Sequence, residues 1–92
     1  MAHRHMLSPQ AWTDLGAVPL AVQNASMGSC LLDYATPDGE GNYPGDLDAP
    51  GLRLRPGQIE TCGPLGNADA RHVFARAAGT GAIVVVIPGE GV

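Results

Sequence analysis

The sequence predicts an all-β domain: a small antiparallel β-sandwich or barrel of about six short strands, with an extended N-terminal arm and a long loop. Two observations carry this expectation. Short segments of alternating or wholly apolar residues recur along the chain, and turns rich in glycine and proline separate them. A length of 92 residues suits one domain. We expect this domain to cover residues 12–92, and residues 1–11 to form a flexible arm.

Two strands are predicted before the long loop. Residues 8–12 begin Ser-Pro, which permits one short helical turn. In residues 18–23, Val18, Leu20 and Val22 alternate with smaller or polar residues, and Pro19 places the start of this strand at an edge. Residues 24–28 then predict a turn, and residues 29–35 predict a second strand. These two strands are expected to pair as a hairpin.

Residues 36–51 predict a long loop, because three prolines and four glycines exclude regular structure there. Loops of this length are usually functional or disordered. Residues 38–42 resemble the start of a calcium-binding EF-hand loop, but Tyr43 stands where that loop needs glycine and Ala49 where it needs glutamate. We therefore expect no metal ion and no cofactor. Tyr43 and Leu47 instead favour contact with a partner, since both would otherwise expose apolar surface.

Four further strands are predicted after the loop, with a single helical turn at residues 67–71. The chain turns at residues 79–81, Gly-Thr-Gly, which predicts a hairpin between the last two strands. Residues 82–87 are wholly apolar, so this last strand should be hidden on both sides, inside a sheet or against another molecule. The four strands are residues 52–55, 58–62, 71–78 and 82–87.

Composition excludes several classes of partner. The net charge of −4 argues against sequence-independent binding of nucleic acid and against docking on anionic membranes. No apolar stretch approaches the roughly 20 residues of a membrane span, and no signal peptide is predicted at the start of the chain.

Cys30 and Cys62 are expected to be reduced, half-buried small apolar side chains. The glycosylation sequon at residues 24–26 is interpreted as coincidence.

No catalytic arrangement can be assigned from the residue types. His3 and His5 could share a metal, but a loose terminus would not hold them in place. His72 is interpreted as structural, because no nucleophile with an orienting third group can be assigned beside it. We therefore expect a protein that is not an enzyme. Trp12 could fill one end of the core or anchor the arm to a neighbour, and the core is the favoured interpretation.

Four segments of the chain carry a resemblance to a known class of proteins. Together they extend over about residues 12–87, and their layout resembles short structural proteins of tailed bacteriophages, namely capsid decoration (cement) proteins or related small virion components. The resemblance lies in the spacing of strands and turns. The acidic loop at residues 37–50 has no counterpart in that pattern. The four segments are Trp12–Gly16, Pro19–Ser26, Gly51–Gly57 and His72–Val86.

The resemblance implies a non-enzymatic protein that binds the outer surface of a phage capsid and stabilises contacts between major capsid proteins. It would be made in the cytoplasm of the bacterial host, reside on the virion and form a homo-oligomer such as a trimer. Deletion of residues 1–11 should leave the fold intact and weaken attachment. The candidate partner-binding residues are Trp12, Tyr43, Leu47, Arg53 and Arg55.

Two alternatives remain open at this point. One is a tail or head-tail connector component, which the strand pattern does not distinguish from a capsid protein. The other is a small ligand- or carbohydrate-binding β-module, which would need a cluster of exposed aromatic side chains.

Overall fold

A computed structural model describes residues 2–49, 51–62, 71–79 and 81–88. All regular structure in this part of the chain is strand, which confirms the all-β prediction with eight strands instead of six. No helix long and apolar enough to span a membrane occurs among these residues. The strands are β1 (His3–Leu7), β2 (Thr13–Ala17), β3 (Leu20–Asn24), β4 (Cys30–Ala35), β5 (Leu52–Leu54), β6 (Ile59–Cys62), β7 (His72–Ala77) and β8 (Ala82–Pro88).

The strands form two antiparallel sheets of four, in the orders β1-β8-β3-β6 and β2-β7-β4-β5. Of the strands that follow one another in the described chain, β4 and β5 alone are neighbours in one sheet. At all the remaining steps from one strand to the next, the chain crosses to the facing sheet. This is the strand order of a jelly-roll sandwich.

Both hairpins predicted from the sequence are absent from the described strands, and these two predictions are wrong. β3 and β4 lie in different sheets, and so do β7 and β8. A short glycine-containing connection can fold into a hairpin or carry the chain across to the facing sheet about 10 Å away, and the local sequence is compatible with both. β8 pairs with β1 along one edge and with β3 along the other. No edge of β8 is therefore left for β7.

Residues 3–7, expected as part of a flexible arm, form strand β1 against β8, with pairs from His3–Val86 to Leu7–Ala82. Strand β2 was also not predicted, because a bulge between Asp14 and Gly16 interrupts its alternation. The chain between these strands makes a turn at residues 9–10 in place of the expected helical turn at 8–12. The helical turn expected at 67–71 lies outside the described residues except for Arg71.

The core lies between the two sheets and follows the two-residue alternation of the strands. In β8, for example, Ala82, Val84 and Val86 are buried. Cys30 and Cys62 are both free and fully buried, so the expectation that they are half-buried is wrong. Burial raises the pKa of the Cys30 thiol to about 11 and also raises the pKa of Cys62. The large buried core side chains are Leu7, Leu15, Leu20, Val22, Leu32, Leu54, Val73, Val84 and Val86.

Candidate functional site

The outer face of the β2-β7-β4-β5 sheet is covered by the chain's own long loop, and we call it the capped face. Phe74 lies at its centre, between Asp14 of β2 and Asp33 of β4 in the strand register. By alternation with Val73 and Ala75, Phe74 points away from the core. Its side chain is nevertheless only 1% exposed. The loop between β4 and β5 buries it.

An aromatic stack holds the loop on this face. The Tyr43 ring lies 4.6 Å from the Trp12 ring and 5.2 Å from the Phe74 ring, measured between centroids. The Tyr43 hydroxyl donates a hydrogen bond to the Asp33 carboxylate. Burial and the neighbouring Asp33 carboxylate raise the pKa of Tyr43 to about 12. The loop residue Tyr43 therefore contacts Trp12 and Phe74 through its ring and Asp33 through its hydroxyl.

Trp12 fixes the far end of the loop and the segment that follows β1. Its indole Nε1 donates to the backbone carbonyls of Asp46 and Leu47, each at 3.1 Å. The Arg76 guanidinium lies over the Trp12 ring at 5.5 Å and donates from Nη1 to the Pro9 carbonyl at 3.2 Å. Trp12 thus joins the loop to the sheet from the outside of the sandwich, and it does not enter the core.

The candidate partner-binding residues fall into two places. Trp12 and Tyr43 are half-buried in the aromatic stack, and Leu47 is an exposed neighbour in the same loop. Arg53 is exposed on β5, on the same outer side of the sheet, opposite Leu31 in the register. Arg55 lies beyond the end of β5, where its backbone amide donates to the Gln58 side chain at 3.0 Å. The structure therefore brings the first three together and leaves Arg55 apart.

The opposite side of the sandwich, the outer face of the β1-β8-β3-β6 sheet, is apolar, and we call it the open face. Its centre is the row Ile83, Val85 and Ile87, which alternates with the buried residues of β8. Met6 lies beside Ile83 in the register, and Ile59 occupies the far edge strand. Met6 is 81% exposed, Ile59 56% and Ile87 45%. The open face consists of Arg4, Met6, Ala21, Gln23, Ile59, Thr61, Ile83, Val85 and Ile87.

Charge is distributed unequally between the two faces. Arg4 is the single charged residue of the open face. Glu60 lies on the opposite side of β6 from Ile59, with a half-buried side chain. All other acidic residues in the described part of the chain lie on the capped face or in its loop: Asp14, Asp33, Asp38, Glu40, Asp46 and Asp48.

The open face was not among the predicted contact residues, although its signal was present. The apolar run at residues 82–87 indicated a strand with no polar side, and β8 is indeed central in its sheet. Alternation then buries one side of the strand and leaves Ile83, Val85 and Ile87 on the other. Met6 and Ile59 join them only through strand pairing, which the sequence did not reveal.

Neither candidate metal site is assembled by the fold. His3 and His5 line an open cavity of about 320 Å³ whose other walls are largely apolar, including Leu15 and Val86. The Asp38 carboxylate accepts hydrogen bonds from the backbone amides of Asn42 and Glu40, and these bonds lower its pKa. In the described residues, no group of three His, Cys, Asp or Glu side chains is placed to hold a metal ion.

Comparisons with protein-family models, with curated proteins and with solved structures found no match to this chain.

Proposed function

We propose that this chain is a non-enzymatic structural protein of a tailed-phage virion. In this proposal it binds the outer surface of the capsid as a cement or decoration subunit and stabilises contacts between major capsid proteins, as a homo-oligomer such as a trimer. The observation that supports it is the open face, an apolar sheet surface centred on Val85.

An apolar sheet face in contact with water favours a role in binding another protein. Large contiguous apolar patches on soluble proteins mark interaction surfaces. Burial of an aliphatic side chain such as Ile87 or Ile59 contributes roughly 1.5–3 kcal/mol when it is complete. Jelly-roll sandwiches form capsid domains of viruses but also lectins and cupins, so the fold supports the proposal only by analogy. We prefer the protein-binding role because of the apolar open face and not because of the fold.

The aromatic residues argue against the carbohydrate-binding alternative. Such a module presents exposed aromatic rings to its ligand. Tyr43 instead contacts both Trp12 and Phe74, and Tyr34 is half-buried. The rings that could face a sugar are used to hold the loop.

The titratable groups also support a non-enzymatic role. Burial raises the pKa of both cysteine thiols, which is the opposite of what activates a nucleophile. His72 Nδ1 lies 2.9 Å from the Asp14 carboxylate on the capped face. Among the described residues, its ring has no hydrogen bond to a serine, threonine or cysteine that the pair could activate.

The composition and structure of purified phage heads test the proposal. The gene for this chain would be deleted from the phage that encodes it, and wild-type and mutant heads compared by mass spectrometry and cryo-electron microscopy. We expect many copies on the outer shell of wild-type heads, and mutant heads that release DNA at lower temperature. Wild-type heads without the chain would contradict the proposal. Density in the tail or at the head-tail junction would support the connector alternative instead.

A further inference from the structure

We infer that the open face docks on an apolar surface of a different protein, which presents a carboxylate to Arg4, and that it does not pack on a second copy of this chain. The inference rests on the proposed function, since it assigns the surface by which the subunit would attach to the shell.

The open face combines an apolar row with a few polar groups beside it. Ile83, Val85 and Ile87 run along the inner strand β8, with Met6 on the neighbouring edge strand. The polar groups are Arg4 and Thr61 on the two edge strands and Gln23 on β3, beside Val85. Apolar side chains exclude water on contact, and polar groups beside them set orientation.

The size of the face argues against a stable free dimer. Four strands about 4.8 Å apart, each contributing about five residues at about 3.3 Å, give a footprint of roughly 300 Å². A stable pairwise interface buries about 800 Å² of accessible surface on each partner, which is well above this planar area of the face. A contact of this size holds when many copies bind one large assembly through several surfaces at once.

The charge of the face argues against self-packing. A symmetric dimer brings the same patch of both subunits together. Within the described residues, the open face holds Arg4 and no carboxylate, so two copies packed face to face through these residues would supply no counter-charge to either guanidinium. Carboxylates such as Asp33 and Asp46 lie on the capped side. Packing the open face of one copy on the capped side of the next would build an open stack, because the two faces are on opposite sides of the sandwich.

A partner of different sequence meets both requirements. It can offer apolar side chains to Val85 and Ile87 and an acidic residue to Arg4. Docked in this way, the chain would turn its capped face, with the acidic loop at residues 36–49, away from the partner.

The apolar part of the inference is tested with heads purified from the gene-deletion strain, to which pure protein is added back. Val85→Thr and Ile87→Thr keep a β-branched side chain suited to a strand while adding a hydroxyl to the contact. We expect each to raise the apparent dissociation constant about tenfold. Met27→Thr is the matched control, because Met27 is 94% exposed in a turn outside the open face. Circular dichroism and the melting temperature of each variant verify the fold.

The charged part is tested at Arg4. Arg4→Glu should weaken binding to the same heads at least tenfold, whereas Arg4→Lys, which keeps the charge, should stay within about threefold of the wild type. Raising the salt concentration should weaken the wild type more than Arg4→Gln, since salt screens the pairing with a carboxylate. Equal salt dependence of the two proteins would contradict a carboxylate opposite Arg4.

The outcomes separate the two proposals. Wild-type protein that does not bind the heads would overturn the proposed function and this inference with it. Wild-type binding that Val85→Thr and Ile87→Thr leave unchanged would overturn the inference alone. Light scattering completes the test: an oligomer that dissociates in these two variants would show that the face packs on a second copy, while an unchanged oligomeric state with weakened binding supports the inference.

Discussion

Tyr43 connects the long loop to the sandwich through three different contacts. Its ring stacks on Trp12 and Phe74, and its hydroxyl reaches Asp33. The Tyr43 ring is one of the groups that cover Phe74, which is buried although it lies on an outer face. Tyr43 therefore contributes to the stability of the capped face from a segment without regular structure.

Two substitutions at Tyr43 separate the ring from the hydroxyl. Tyr43→Phe keeps the stacking and loses the hydrogen bond, so we expect the free energy of unfolding to fall by about 1 kcal/mol. Tyr43→Ala also uncovers Phe74, and a loss of about 2–3 kcal/mol is expected. Urea denaturation measures both. Equal losses for the two variants would show that the ring does not protect Phe74.

The same residue makes stability depend on alkaline pH. Burial and Asp33 raise the pKa of Tyr43 to about 12, whereas a tyrosine in the unfolded chain has a pKa of about 10. The native state therefore favours the neutral phenol, so the contribution is complete below about pH 10 and is lost as pH rises from about 10 to about 12. The difference in unfolding free energy between wild type and Tyr43→Phe should shrink over this interval. A constant difference up to pH 12 would contradict the raised pKa.

Asn24 is the buried polar residue of the core, and its side chain joins the two sheets. Its Nδ2 donates to the carbonyls of Gly28 at 2.7 Å and of Leu54 at 3.0 Å, and its Oδ1 accepts from the amide and hydroxyl of Ser26. Every polar atom of the side chain is thus used inside the fold. The burial of Asn24 also makes the sequon at residues 24–26 inaccessible in the folded protein.

Substitution of Asn24 should be costly. Asn24→Ala leaves buried carbonyls without donors, and we expect the free energy of unfolding to fall by about 3 kcal/mol. Ser26→Ala removes one donor to Oδ1 and should lower it by about 1 kcal/mol. Chemical denaturation of both variants checks the order. A smaller effect for Asn24→Ala than for Ser26→Ala would contradict the role of Asn24.

At the scale of the element, β1 is an edge strand that closes the side of β8. Five residue pairs join the two strands, and Leu7 at the end of β1 is buried in the core. From its sequence, this segment is expected to be dispensable for folding. The structure changes that expectation, because removal of β1 would uncover one edge of an apolar central strand and expose it to aggregation.

Substitutions at two neighbouring residues of β1 test whether residues 3–7 form a strand or a flexible arm. Leu7→Ala removes a buried side chain, and we expect the free energy of unfolding to fall by about 2 kcal/mol or more. Met6→Ala alters an exposed side chain of the same strand and should change it by no more than about 0.5 kcal/mol. Thermal or urea unfolding measures the pair. If both variants matched the wild type, residues 3–7 would be a flexible arm after all.

At the scale of the whole molecule, the two ends of the described chain meet in one sheet. β1 pairs with β8, and the connections before and after β4–β5 cross between sheets. Neither sheet can therefore be completed from one continuous part of the chain. Folds that depend on such distant pairings assemble slowly and as a unit.

This topology predicts a single cooperative unfolding transition. Trp12 fluorescence reports on the capped face, and far-ultraviolet circular dichroism reports on the strands of both sheets. The two signals should give the same midpoint and the same slope in a urea titration. Separate midpoints would mean that the capped face can detach while the sandwich persists.

Most of the strands could be predicted from the sequence, but the predicted pairing of those strands is wrong. Alternation and turn residues marked the segments that became β3 to β8, and the glycines and prolines of residues 36–51 marked the loop. The bulge at Gly16 hid β2, and the polar residues of β1 gave no apolar signal. Trp12 and Tyr43 were selected as candidate contacts from their residue types. That they stack on Phe74 of their own chain follows from contacts between distant segments.

The sequence by itself determined that this protein is built of strands, because a two-residue period and the residues that break it are local properties of the chain. It also determined that the strand at residues 82–87 has no polar side. Only the tertiary structure decided that β8 lies between β1 and β3, that one outer face is covered by the loop and that the other is open. Alternation shows that neighbouring side chains point to opposite sides, but contacts between residues far apart in sequence determine what covers each side.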